Sequence, residues 1–136
     1  MADDPTTGEE SSPSPFAELL DIRAGISQDG VGSAFMEIQD MHRQTAGFVQ
    51  GGLIVALADF AFARAVHSVS QPGQPTVTIE LKMNFISPAK DGKLTATARI
   101  LSQGSRIVVG EMEVTGEEQV LIARGLGTFM LLQPPS

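Results

Sequence analysis

Two features of the stretch from Gln44 to Ser68 have residue types that can do chemistry. The first is Asp59, the lone charged residue in the run Leu53 to Ala63, which is otherwise apolar on every side. A helix that is apolar all round is normally buried, and an ionised carboxylate inside it is costly unless it is paired or used. Asp59 is therefore either a satisfied structural group or a site residue. The second feature is Gly51-Gly52, where loop becomes helix. Backbone N–H groups there lack intrahelical partners and carry the positive end of the helix dipole, so they can hold a carbonyl oxygen or an oxyanion. Equally, two glycines permit a tight turn and no more. Asp59 follows Gly51 by eight positions, which at about 1.5 Å per residue places it roughly 12 Å along the helix. One reacting carbon cannot touch both. If both act, the site combines Gly51 of one chain with Asp59 of another across a two-fold axis.

The elements that must position these residues are legible from periodicity. Ser14-Pro15 opens a short capped helix through Leu20, with proline at its first position. Ile22 to Ser27 and Gly32 to Gln39 read as a hairpin around Gln28-Asp29-Gly30, with Ala34, Met36 and Ile38 on one face. Beyond the central helix and Pro72-Gly73, Thr76 to Ile86 alternates, with Val77, Ile79, Leu81, Met83 and Phe85 set against Thr78, Glu80, Lys82 and Asn84. Lys93 to Leu101, Ser105 to Thr115 and Gln119 to Leu132 follow across the turns Gln103-Gly104 and Gly116-Glu117-Glu118. Two strands, one long helix and four strands on short turns predict an α+β domain with a mostly antiparallel sheet packed on the helix. Gly110, Gly125 and Gly127 fall inside strands, where they would admit the helix backbone.

The chain of 136 residues has the size of one domain, with residues 1–14 as an acidic disordered tail and 15–132 as the folded part. The absence of cysteine excludes disulfides, thiolate metal sites and a cysteine nucleophile, and His42 and His67 are too few for a histidine-rich metal site. No apolar run resembles a signal peptide or spans a bilayer, so a cytoplasmic protein without membrane contact is expected. A net charge of −7 argues against nucleic-acid binding. It leaves room for a small anionic ligand held by a local cluster drawn from Lys82, Lys90, Lys93 and Arg106, each of which also fits a solvated surface charge.

Taken together the motifs resemble the hotdog-fold acyl-CoA thioesterases, in particular the phenylacetate-degradation group. The matching pieces are Gly47-Phe48-Val49-Gln50-Gly51-Gly52-Leu53, Ala56-Leu57-Ala58-Asp59 and Val77 to Ala89, then Gly92, Gln103-Gly104-Ser105-Arg106 and Ala123 to Phe129, so the likeness covers about Pro15 to Leu131. The resemblance implies an antiparallel sheet wrapped around one central helix, in a homodimer or homotetramer with its sites at the subunit interface. It implies hydrolysis of an acyl-CoA thioester with no further cofactor. Asp59 would be general base or nucleophile, Gly51 N–H would polarise the thioester carbonyl, Gln44 would place water or carbonyl, and the Thr78 hydroxyl would assist. Coenzyme A would lie along Asn84, Ser87, Pro88, Lys90, Gly104, Ser105 and Arg106.

One departure stands out. The family's motif is His-Gly-Gly, and this chain has Gln50 in the first place. Glutamine hydrogen-bonds but does not titrate near neutral pH, so any acid role of that histidine is absent while orientation of the loop by the Gln50 side chain is expected to survive. His42 either substitutes for the missing imidazole or is a solvated loop residue, and His67 complements the helix C-terminus. The alternative to an enzyme is a non-catalytic acyl-CoA-binding hotdog protein.

Overall fold

The computed structural model describes residues 14–133, so the expected tail lies outside it except for Ser14, as does Pro134-Pro135. Ser14 is the N-cap of α1 (Pro15–Leu20), its side chain accepting from the Ala17 N–H. The helix stops at Asp21 in the left-handed region, φ 59°. Then come β1 (Arg23–Gln28), β2 (Val31–Glu37), a 3-10 turn (Asp40–His42), α2 (Gly51–His67), β3 (Thr76–Phe85), β4 (Lys93–Gln103), β5 (Ile107–Thr115), a second 3-10 turn (Glu117–Gln119) and β6 (Leu121–Leu131).

All strands join one six-stranded sheet in the order β1-β2-β4-β5-β6-β3, and every neighbouring pair is antiparallel. The expected α+β architecture is therefore present. The connection from β3 to β4 crosses the sheet, which leaves β3 bonded to β6 on one side and forming an edge on the other.

Along α2 the residues Leu53, Ile54, Leu57, Ala58, Ala61, Phe62, Ala65 and Val66 are buried. They meet the alternating inward side chains of the sheet, including Ala34, Met36, Leu94, Ala96, Ala98, Val108, Met112, Val114 and Phe129. Two details differ from the sequence reading. The helix backbone comes closest at Gly32, where a Cβ would stand 2.2 Å from the Ala65 nitrogen and 2.3 Å from the Ala61 oxygen. Gly110 and Gly127 instead make room for the Phe62 ring, while a Cβ on Gly125 would strike the Lys82 carbonyl of the neighbouring strand. Phe62 then stacks on Phe129 with ring centroids 4.7 Å apart.

The other difference is that α2 is not buried all round. Val55, Ala56, Asp59, Phe60 and Ala63 form a half-exposed stripe, at the spacing that puts residues on one helix face.

Candidate active site

Asp59 lies in that stripe, midway along α2. The Thr78 hydroxyl donates to its Oδ1 at 2.8 Å. A strictly alternating strand would point Thr78 away from the helix with Glu80, Lys82 and Asn84. The register between β3 and β6 shows why it does not: Thr78 faces Phe129, Glu80 faces Thr128 and Leu81 faces Gly127, with a β-bulge between Thr78 and Glu80. The extra residue shifts the pleat by one, so Thr78 shares the inner face with Leu81 and Met83 while Val77 moves to the outer one. The bulge thus aims the hydroxyl at the carboxylate.

Two influences act on the Asp59 carboxyl. Burial pushes its pKa above the ordinary aspartate range, and the Thr78 hydroxyl, by donating to the charged form, opposes that rise. Burial is the larger. Since the folded-state pKa is raised, the fold favours the protonated acid: this group's contribution to stability is complete below the unfolded pKa and is lost as pH rises through the folded one. Asp59→Asn, which keeps an oxygen for Thr78, is therefore expected to melt a few degrees above wild type at neutral pH. The gain should shrink as pH falls through the acidic range, as thermal denaturation at a series of pH values would show.

The head of α2 is built by the loop before it. Arg43 and Val49 form a bridge, the Gly47 N–H donates to Gln44 O, and the Gln44 N–H donates to Phe48 O, making a tight hairpin. The Gln44 side-chain Oε1 accepts from Ala46 N–H within this turn. The loop is clamped to the chain after β3: the Val49 N–H donates to Ala89 O at 2.8 Å, and Arg43 reaches Lys90 O at 3.1 Å and Asp91 Oδ1 at 2.9 Å.

Gln50 is the N-cap of α2, and its carbonyl accepts from the Leu53 and Ile54 N–H groups. Its side chain makes no cap hydrogen bond. What ties Gln50 down is its main chain, whose N–H donates to His42 O at 2.9 Å. The side-chain tether expected from the sequence is thus supplied by the backbone, and Gln50→Ala leaves it in place. Gly51 and Gly52 follow at the first helical positions, Gly52 in open space and Gly51 beneath the ring of Phe85, whose Cζ would lie 3.6 Å from an added Cβ.

His42 is neither solvated nor a substitute for the absent motif histidine. It is 2% exposed, Nε2 pairs with Leu20 O at 2.8 Å, and Nδ1 accepts from the Gln39 N–H at 2.9 Å. No periodicity could have revealed this, because Leu20 is 22 positions away. His67 is exposed in the last turn of α2, where a cation suits the dipole.

The remaining candidates fall into two groups. Asn84, Ser87, Pro88 and Lys90 follow one another at the end of β3 beside the head of α2, with Asn84 Oδ1 accepting from Lys82 Nζ on the outer face. Gly104, Ser105 and Arg106 occupy the turn between β4 and β5, where the Arg106 carbonyl accepts from Leu131 N–H. Leu131 pairs with Thr76 and Ala123 with Phe85, so the two groups sit near opposite ends of β3, separated by about 30 Å at the usual strand rise. One chain does not bring them together.

Around this site β3 and the residue that follows it expose apolar side chains: Val77 is 44% exposed, Ile79 51%, Phe85 53% and, just beyond the strand, Ile86 57%. Among the described residues no helix is long and apolar enough to cross a membrane.

Comparison with known proteins agrees with this architecture. The pattern of the thioesterase superfamily matches residues 46–123. Acyl-coenzyme A thioesterase 13 of Mus musculus is 30% identical over 95 residues, covering 68% of this chain and 67% of that protein. A Saccharolobus solfataricus protein named as an esterase is 34% identical over 85 residues, 62% of this chain, and the matched stretch spans 56% of that relative's length. Among solved structures, the Escherichia coli PaaI protein from the phenylacetic acid degradation operon superposes with a TM-score of 0.82 at 26% identity, covering 90% of this chain and 87% of that one. The six-stranded antiparallel sheet on one long helix is the hotdog fold, and the chain belongs to the thioesterase superfamily, as a thioester hydrolase.

Proposed function

We propose that the protein hydrolyses acyl-CoA thioesters in a dimer whose sites each take Gly51 from one chain and Asp59 from the other. Asp59 carries the reading: a carboxylate raised by burial, held by a hydroxyl that a bulge aims at it, on a helix face left half-exposed. A group placed in this way, at a desolvation penalty, suits proton transfer or nucleophilic attack. Acting as base, Asp59 takes a proton from water as the water oxygen bonds to the thioester carbon. The tetrahedral oxyanion rests on the Gly51 N–H, and its collapse breaks the C–S bond, with the thiolate of coenzyme A taking the proton. Acting as nucleophile, Asp59 attacks the thioester carbon and expels the coenzyme A thiolate, and water then opens the mixed anhydride so formed to the free acid and the restored carboxylate, its remaining proton going to the thiolate. The titratable base makes kcat/KM rise with pH through the raised Asp59 pKa.

Three observations support the dimer. Gly51 and Asp59 are too far apart along one continuous 17-residue helix to serve one carbon, at about 1.5 Å per residue. An exposed apolar edge strand such as β3 is a surface that soluble proteins cover by pairing. The two groups of candidate CoA contacts, from Asn84 to Lys90 and from Gly104 to Arg106, can serve one ligand if each comes from a different chain. In this arrangement Gln44 shapes the loop that presents Gly51, Gln50 caps the helix, and Thr78 steadies Asp59. The mouse relative's name supports coenzyme A as the thiol.

The test is a chromogenic thiol-release screen over short, medium and aromatic acyl-CoAs, with hydrolysis of at least one class expected. A protein that binds acyl-CoA and releases no thiol from any of them would be a binding module instead.

A further inference from the structure

His42 is the most enclosed hydrogen-bonding side chain near the site, and the mechanism above makes no use of it. Its ring joins segments distant in sequence. Nδ1 accepts from a backbone N–H, that of Gln39, so the proton of the neutral ring is on Nε2, which donates to Leu20 O. The imidazole therefore fastens the 3-10 turn to the end of α1 on one side and to the chain leaving β2 on the other. The carbonyl of the same residue accepts the Gln50 N–H at 2.9 Å, and the Gln50 carbonyl accepts from Leu53 at 3.0 Å and Ile54 at 3.3 Å. The peptide unit that carries this carbonyl also carries the Gly51 N–H. A continuous path of hydrogen bonds thus runs from α1 through His42 to the donor at the head of α2.

We propose that His42 is a positioning residue for the thioester-oxygen donor, acting through the Gln50 main chain. The inference rests on the reading that Gly51 N–H receives the developing oxyanion. Glycine brings no side chain to fix its own peptide, and the Gln50 side chain makes no bond that would do so. The aim of the N–H is set from outside, by His42 through Gln50 N–H and by Ala89 through Val49 N–H. An oxyanion donor stabilises the transition state in proportion to how well it is aimed beforehand, so a loosened loop lowers turnover while leaving much of the ligand's binding surface intact.

The test compares wild type with His42→Phe, which keeps a planar ring and loses both bonds, and His42→Gln. A glutamine at the third position of a helical turn is an ordinary acceptor from the cap N–H, here that of Gln39. For the best acyl-CoA, His42→Phe should lose about tenfold to a hundredfold in kcat with KM changed by less than about threefold. Its affinity for an S-alkyl-CoA thioether, which has no carbonyl oxygen, should be unchanged, and His42→Gln should recover most of the kcat. A His42→Phe protein that melts lower yet keeps its kcat would overturn the proposal, and so would one whose kcat and thioether affinity fall together. Should His42→Phe fail to fold, His42→Asn decides: it keeps an acceptor for Gln39, is too short for Leu20, and should show an intermediate loss of kcat at constant KM. Wild-type kcat in that variant sinks the idea. A wild type silent on every thioester would remove the underlying reading, whereas one that turns over beside fully active His42 variants removes this inference alone.

Discussion

Asp59→Ala is expected to lower kcat by three orders of magnitude or more, on the scale seen when a general base or nucleophile is deleted, while KM for the acyl-CoA moves little. In the proposed mechanism the carboxylate acts on the water or the carbonyl carbon only as the transition state forms, so its removal is felt in turnover rather than in ground-state binding. The fold should persist. Alanine is the strongest helix former, Ala56 and Ala63 already occupy the same stripe, and a half-buried charge that the fold holds at a penalty is removed. Circular dichroism and a melting curve run beside the thiol-release assay would separate the outcomes. Most of the activity surviving would take Asp59 out of the chemistry, whereas loss of the folded state would make it a structural partner of Thr78.

How much of this site the sequence discloses depends on how local each cause is. The strands and α2 are legible because alternation and an apolar run reflect burial that each segment carries along its own length. Asp59 is legible for the same reason, as a charge that breaks the run. Its partner geometry is not. Thr78 faces Asp59 only because of the bulge before Glu80, and an 11-residue stretch that alternates without a break gives no sign that its pairing with β6 slips by one. The crossover that makes β3 an edge and the burial of His42 likewise depend on partners far along the chain. Gln50 misleads in the opposite way. Its side chain invites a hydrogen-bonding role, and the structure gives that role to its amide, which any residue but proline would supply.

The head of α2 offers an unusually clean way to remove one backbone donor. Gly51 is the first helical residue, where proline is favoured because its missing N–H had no intrahelical partner to lose. Gln50 has φ −60° and ψ 131°, the extended conformation that a residue preceding proline adopts. A Cβ on Gly51 would meet the Phe85 ring at ordinary contact distance, 3.6 Å. Gly51→Pro should therefore fold, keep the hairpin and the Gln50 to His42 bond, and lose only the Gly51 N–H. The expected loss in kcat is about a hundredfold to a thousandfold, the usual effect of deleting one oxyanion donor, or roughly 3 to 4 kcal/mol. Near-normal turnover would show that the thioester oxygen rests elsewhere.

The same variant tests how the site is assembled. A mixed dimer of one Gly51→Pro chain and one Asp59→Ala chain, purified through two different tags, has one interface site with intact Gly51 and intact Asp59 and one with neither. It should therefore recover about half the wild-type turnover from two nearly inactive parents. A site contained within a single chain gives no recovery, since each chain would carry its own defect. The length of α2 argues for recovery: with Gly51 and Asp59 on one unbroken helix, the proposed carbonyl donor and base would meet one thioester only when a second helix supplies one of them.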